Sequence, residues 1–304
     1  MWAMKKLTFA VVAVTLLALQ SSVGAWGSDV HRLITKRAID GLPVELKAFY
    51  SAKADFISEH SIDPDLWRTA ELSTSFGPED PNHFLDFDNF NEPAPFSGVP
   101  REWKAVGQKY GADLANKNGR LPWRGEEVFN KLVSTFADMA KPNAPGYAGE
   151  NARYLSAVLA HYVEDGHQPF HGVANYDGQL TNQRGIHSRF ETELVMRNKD
   201  RLKLTPVAIT PIADIKTFFF DTLIADQAMA AQVLAADLKA VEGRDLYDDG
   251  YFDAFAKAGA LAVAERRFSD SASGVASVWV AAWTKAGKPK MPEDGARTPA
   301  KIRK

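Results

Sequence analysis

Three of the chain's seven histidines fall in one short segment, AHYVEDGHQPFHG (160–172), together with two acidic residues. Residues four apart on a helix share a face. His161 and Asp165 therefore point the same way, and so do His187 and Glu191 in GIHSRFE further on. An imidazole and a carboxylate so spaced form a two-point bite for zinc, which takes such ligands at about 2.0–2.2 Å. His171 lies just past Pro169, where the chain must turn. Taken singly, each pair also reads as ordinary structure: His161 as a hydrogen-bonded helical histidine, His187 with Glu191 as a surface ion pair. His60 and His167 are read as structural. Zinc held by such ligands can lower the pKa of water from 15.7 to about 7 and stabilise charge building on a phosphorus atom, provided one coordination position stays open. That is the chemistry of phosphodiester hydrolysis.

These groups need helices to position them. SDVHRLITKRAIDGLP places Val30, Leu33, Ile34 and Ala38 at helical spacing, with Ser28 or Asp29 as the expected cap and Gly41-Leu42-Pro43 as the stop. NARYLSAVLAHYVEDG stacks Leu155, Val158, Leu159 and Tyr162, and Gly166 with Pro169 ends it. A further helix begins after Gly185. Two long apolar-rich segments, 212–241 and 251–283, show no strand-like alternation. Ser73–Pro100 is rich in Pro, Asn, Asp and Gly and reads as a loop. The expected fold is all-α: a single multi-helix domain over residues 26–286.

The ends read differently. Lys5 and Lys6 precede the apolar run Leu7–Leu19, and Val23-Gly24-Ala25 supplies small residues before Trp26. As a helix that run spans roughly 20 Å, short of a roughly 30 Å hydrocarbon core. Residues 1–25 are therefore expected to be a secretory signal peptide, placing the mature protein outside the cell or in a periplasm. Residues 287–304 are basic and proline-rich and are expected to form a disordered tail. The chain has no cysteine, so no disulfide can brace it. Its net charge is −2, and setting aside the basic ends leaves the body at about −9, which gives no general attraction to nucleic acid and suits bound divalent cations.

In order along the chain, these motifs resemble the superfamily that joins zinc-dependent phospholipases C to single-strand-specific zinc nucleases of the S-one/P-one type. The resemblance covers nearly the whole body. It implies an all-helical fold with three zinc ions, one of them bound by the amine and carbonyl of a tryptophan exposed by signal cleavage; Trp26 occupies that position. WGSDVH supplies His31. DPDLWR resembles the family's aspartate element and nominates Asp65, with Asp63 as the alternative. NHFLD nominates His83, and the segment of the opening paragraph supplies His161, Asp165 and His171. GIHSRFE supplies His187 and Glu191. The family pattern implies three ligand sets: Asp65, His83, His161 and Asp165; His171, His187 and Glu191 with room for water; and Trp26, His31 and Asp165, so that Asp165 bridges two ions. It also implies a catalytic role for Asp65, orienting or deprotonating the attacking water.

The substrate signals are mixed. The short Trp26-to-His31 spacing resembles the nuclease branch. GIHSRFE and the run Ala174-Asn175-Tyr176 resemble the phospholipase branch, and the nuclease Gly-Gly-Asn element is missing. Leu66 stands where the family's choline pocket carries an aromatic residue, so the resemblance does not extend to selectivity for phosphatidylcholine. Phe76, Phe90, Phe96, Trp103 and Trp123 are read first as core residues and second as surfaces for lipid chains or bases. The favoured expectation is phospholipase C-like hydrolysis of phospholipid by a monomer without a permanent protein partner. The alternatives are an endonuclease acting on single-stranded nucleic acid and giving 5′-phosphate products, and a secreted zinc-binding protein without catalysis.

Overall fold

The computed structural model describes residues 26–75 and 77–292. The expected leader, Phe76 and residues 293–304 lie outside the described residues. Among the described residues there are thirteen α-helices. α1 (Ser28–Asp40), α2 (Val44–Ser51), α3 (Ala54–His60) and α4 (Asp63–Thr69) follow one another closely. An irregular stretch leads to α5 (Trp103–Tyr110), α6 (Ala112–Lys117), α7 (Leu121–Met139) and α8 (Ala148–Asp165). After a second loop come α9 (Ile186–Ser188), α10 (Val195–Asn198), α11 (Ile215–Val241), α12 (Asp249–Phe255) and α13 (Leu261–Lys285). Among the described residues the only strands are β1 (Ser73–Thr74) and β2 (Gly77–Pro78), one antiparallel pair. The fold is all-α. None of the described helices is long and apolar enough to cross a membrane.

α8 is the central element. Every residue from Ser156 to Asp165 is buried, beneath α7, α13, α3 and α1. Apolar residues gather on both sides of it. One cluster joins α2, α7, α8 and the C-terminal half of α13, around Tyr50, Phe136, Leu159 and Trp279. The other joins Trp26, α9, α12 and the N-terminal half of α13, around Phe190, Tyr251 and Phe268. α11 contributes to both. Phe90, Phe96 and Trp123 are buried in the first cluster and Trp103 packs against it, so the core reading of these aromatics is the one the structure gives.

Some details depart from the sequence reading. Gly27 is the N-cap of α1 and neither Ser28 nor Asp29 caps it; both are first-turn residues. The segment 251–283 is not continuous. Gly259 adopts φ 117°, a region open to glycine at little cost, and a wide π turn over Ala256–Ala260 separates α12 from α13. A second π turn, Arg189–Leu194, joins α9 to α10. Residues 287–292, placed in the tail by composition, include a buried Met291 in the first cluster.

An extended segment crosses from the second cluster back to the first. Its backbone N–H groups at Thr205, Ala208 and Thr210 donate to the hydroxyls of Ser269, Ser273 and Ser277, one turn apart along α13. Lys203 N–H donates to Glu265 on the same helix at 2.8 Å. Side chains on a helix thus satisfy a backbone that no strand pairs.

Trp279 ties α13 to α8 and α2. It is fully buried, stacks on Tyr50 at 4.7 Å, and donates its indole N–H to Ser156 O at 3.0 Å. Trp279→Ala is expected to lower unfolding stability by about 3–5 kcal/mol, read from chemical denaturation midpoints, since it leaves a cavity that the helices cannot close.

Candidate metal centre

Short, sharply turned pieces deliver the polar side chains to the end of α8. His161 and Asp165 lie one turn apart on α8 itself. His31 comes from α1, Asp65 from the first turn of α4, and His83 from the last residue of a 3-10 turn, Asp80–His83. α8 stops at Asp165, and a second 3-10 turn, Pro169–Gly172, returns His171 towards it. His187 and Glu191 straddle the boundary between α9 and its π turn. Gly185 opens that element at φ 82°, a left-handed conformation suited to glycine. Single π turns inside helices often occur at functional sites.

These atoms converge. Asp165 Oδ2 is 2.8 Å from His83 Nδ1 and 3.2 Å from His161 Nε2. Asp165 Oδ1 is 3.7 Å from His31 Nε2. Asp65 Oδ1 is 3.8 Å from His83 Nδ1 and 3.9 Å from His161 Nε2. His187 Nε2 is 2.9 Å from Glu191 Oε2. Two ligands on one tetrahedral zinc stand roughly 3.4 Å apart, so these separations bracket what a shared ion requires. Three triads have ligand atoms within 4.8 Å of one another: His31, Asp65 and His161; His83, His161 and Asp165; and His171, His187 and Glu191.

The fit to cations rests on what these groups lack. His31 Nε2, His83 Nε2, His187 Nε2 and Asp165 Oδ1 are buried and make no hydrogen bond. A buried polar atom left unpaired costs about 1–3 kcal/mol, and three of these, His31 Nε2, His187 Nε2 and Asp165 Oδ1, face the cluster, where a bound cation would satisfy them. The opposite side of most rings is satisfied. Nδ1–H donates to Ser61 O from His161 at 2.8 Å, to His83 O from His171 at 2.6 Å, and to Tyr176 O from His187 at 2.9 Å. Those bonds fix one tautomer and turn the Nε2 lone pair inward, as metal-ligating histidines require. His83 is reversed: Nδ1 faces the cluster, and Nε2 lies 3.5 Å from buried Glu79. Gln168 Nε2 donates to Glu191 Oε2 at 2.8 Å.

The charges respond to each other. Burial opposes ionisation of Asp165, but the His161 charge and hydrogen bonds from His161 and His83 outweigh it, holding the carboxyl well below its usual range. Burial lowers His161, yet Asp165 and Asp65 together push it up to about 9. Burial prevails at His171, which stays far below the ordinary histidine range. Burial likewise raises Glu191, against the pull of His187 and Gln168.

A cleft of about 360 Å³ opens onto this cluster, lined by His83, His171 and His187 together with Arg68, Phe84, Asp86 and Tyr176. Burial, with Asp88 adding to it, raises Asp86 to about 8. Arg68 is held by Asp80 at 2.8 Å and approaches Asp65 at 3.4 Å.

All the side chains nominated as ligands by sequence meet here, and Trp26 stands beside them. Trp26 is fully buried and its indole N–H donates to Glu164 O at 2.8 Å, next to Asp165. Asp65 faces the cluster, whereas Asp63 is engaged by His60 at 2.9 Å and by Tyr154 at 3.0 Å. His31 comes within reach of Asp65 and His161 as well as Asp165, a grouping the expected ligand sets do not contain. His60 and His167 stay outside; His167 donates to Val163 O, and burial with the Arg267 charge holds it down at about 3. Glu79, Glu164 and Gln168, which back the ligands, were not assigned from sequence. The spacing of Glu79 to His83 was the one available signal.

No protein-family model and no curated protein matches the chain. Among solved structures it is similar to alpha-toxin of Clostridium perfringens from an avian strain, at 12% sequence identity and a TM-score of 0.48. The match covers 88% of this chain and 65% of that one, so the chain spans less than two thirds of the toxin's length. A likeness at this level carries neither the fold class, which stands on the chain's own helices, nor the function.

Removal of a central ligand tests the centre directly. Wild-type protein loaded with zinc is expected to lose thermal stability on chelation, because ions at a thousandfold excess over Kd contribute about 4 kcal/mol. His161→Ala is expected to hold fewer ions by elemental analysis and to show a thermal midpoint that chelator lowers by less than in wild type.

Proposed function

We propose that the mature protein, beginning at Trp26, is a secreted or periplasmic zinc-dependent phosphodiesterase that hydrolyses phospholipids in the manner of a phospholipase C. One observation carries this reading: eight ligand side chains from separate elements converge in a buried cluster with unpaired donor atoms, at the base of an open cleft. Zinc ions held there supply Lewis acidity, which acidifies water and stabilises charge on a phosphate. The proposed sets are those of the family resemblance, with Asp165 shared and the α-amine of Trp26 completing the His31 set. His171, His187 and Glu191 would hold a further ion through three side chains, which would leave room for water, and His171 and His187 line the cleft. Asp65, only 13% exposed, is proposed to orient the attacking water and accept its proton. Arg68 keeps a positive charge at the cleft wall through its contacts with Asp80 and Asp65.

The cleft favours a small phosphodiester over a polyanionic strand. Its basic residues are Arg68, already paired, and Lys117; its acidic residues are Asp80 and Asp86. A nucleic-acid channel needs a positive track along the backbone, and this lining has none. Leu66 is 53% exposed and absent from the cleft lining, in keeping with a headgroup pocket that differs from the choline-selective one. The protein is proposed to act as a monomer.

The experiment is a comparison of substrates on zinc-loaded protein processed to Trp26. Release of phosphorylated head group or diacylglycerol from phospholipid, without nucleotides from single-stranded DNA or RNA, is the expected result. Release of 5′-phosphate nucleotides would shift the reading to a nuclease. Bound zinc without turnover on either would leave a zinc-binding protein, and absence of tight zinc would remove the basis for all three. A form retaining one residue before Trp26 converts the amine to an amide, a very poor ligand. It is expected to hold one ion fewer and to lose activity; a full complement with undiminished turnover would refute the role of the amine.

A further inference from the structure

Glu164 is fully buried at the end of α8, yet it belongs to none of the proposed ligand sets. One carboxylate oxygen meets His31 Nδ1 in a very short contact, and the other accepts from Thr35 Oγ at 2.7 Å. On the far side of the same ring, His31 Nε2 faces Asp165 Oδ1 at 3.7 Å and makes no hydrogen bond. Glu164 therefore stands behind the ring and cannot reach an ion held by Nε2.

We propose that Glu164 is a positioning residue that sets the zinc affinity of the His31 site, by holding His31 as its Nδ1–H tautomer and placing a negative charge behind the ring. The inference rests on reading the cluster as a zinc centre. A carboxylate accepting Nδ1–H makes the opposite nitrogen a stronger donor, and such outer partners are worth about 10–100-fold in metal affinity. His31 is singular in this respect. The Nδ1 groups of His161, His171 and His187 end on neutral carbonyls, and Glu79 stands further back from His83, at 3.5 Å. The charge serves a second purpose. Clustered divalent ions carry more positive charge than Asp65, Asp165 and Glu191 can offset, and Glu164 adds a negative charge without occupying a coordination position. Thr35, one turn beyond His31 on α1, keeps the carboxylate aimed.

Two variants separate the contributions. Glu164→Gln keeps the shape and an oxygen to accept from His31, but removes the charge. Thr35→Val keeps the charge and releases one oxygen. Processed, zinc-loaded protein is titrated with a colorimetric chelator, counting the ions released at each free-zinc level. In Glu164→Gln one ion is expected to bind about 10–100-fold more weakly while the rest are retained as in wild type. Thr35→Val should loosen the same ion to a smaller extent. Identical release curves for wild type and Glu164→Gln would overturn the inference. So would uniform weakening of every ion together with a lower thermal midpoint of the metal-free protein, the mark of a merely structural role. If wild type itself retains no zinc, the zinc reading fails and this inference with it; if wild type retains zinc and Glu164→Gln matches it, only the inference fails.

Discussion

A helix buried on every side is ordinarily apolar throughout. The last ten residues of α8 are all buried, and His161, Glu164 and Asp165 are among them. Unpaired charges at such depth would cost several kcal/mol each. Much of the surrounding architecture meets that demand. α1 brings His31 and Thr35 to Glu164 and the Trp26 indole to its carbonyl. The junction between α3 and α4 brings the Ser61 carbonyl to His161, and the turn ending at His83 brings an imidazole to Asp165. Tyr162, between them on the helix, donates to Glu79 and accepts from Arg124 at 3.1 Å. The polar partners of α8 thus decide where its neighbours sit, as much as the apolar contacts do.

The elements differ in how readable they are from sequence. α1 and α8 carry apolar periodicity over three or more turns, α11 carries a dense apolar run without strand-like alternation, and the structure places helices in all three. α7 shows the same spacing at Val128, Phe129, Leu132 and Phe136. α3 and α4 have seven residues each, too few to reveal a period. The break at Gly259 left no sign beyond a lone glycine in an alanine-rich stretch. In the centre, the candidate ligands are nameable because their residue types and order are unusual. Their supports are not. Glu164 precedes Asp165 in the chain, but its role depends on where α1 approaches α8, and nothing local encodes that.

The two sides of the centre differ in character. Towards the protein interior the rings are backed by carbonyls and carboxylates, so their orientation is fixed before anything binds. Towards the cleft stand Phe84, Phe170 and Tyr176, with few charges left free. Such a combination suits a ligand with a charged end and an apolar remainder. A charge held at that end of the pocket meets electrostatic contacts stronger than in open water.

The serine-laddered crossing has a consequence for the molecule as a whole. Ser269 and Ser273 lie beside the cluster that contains Phe268 and Ala272, while Ser277 lies beside the one that contains Val278 and Trp279. Val207, within the laddered segment, packs against both clusters, and a Cβ on Gly41 would stand only 2.3 Å from it. Neither half of the interior can loosen without drawing on that strap, so the stability of each half is tied to that of the other.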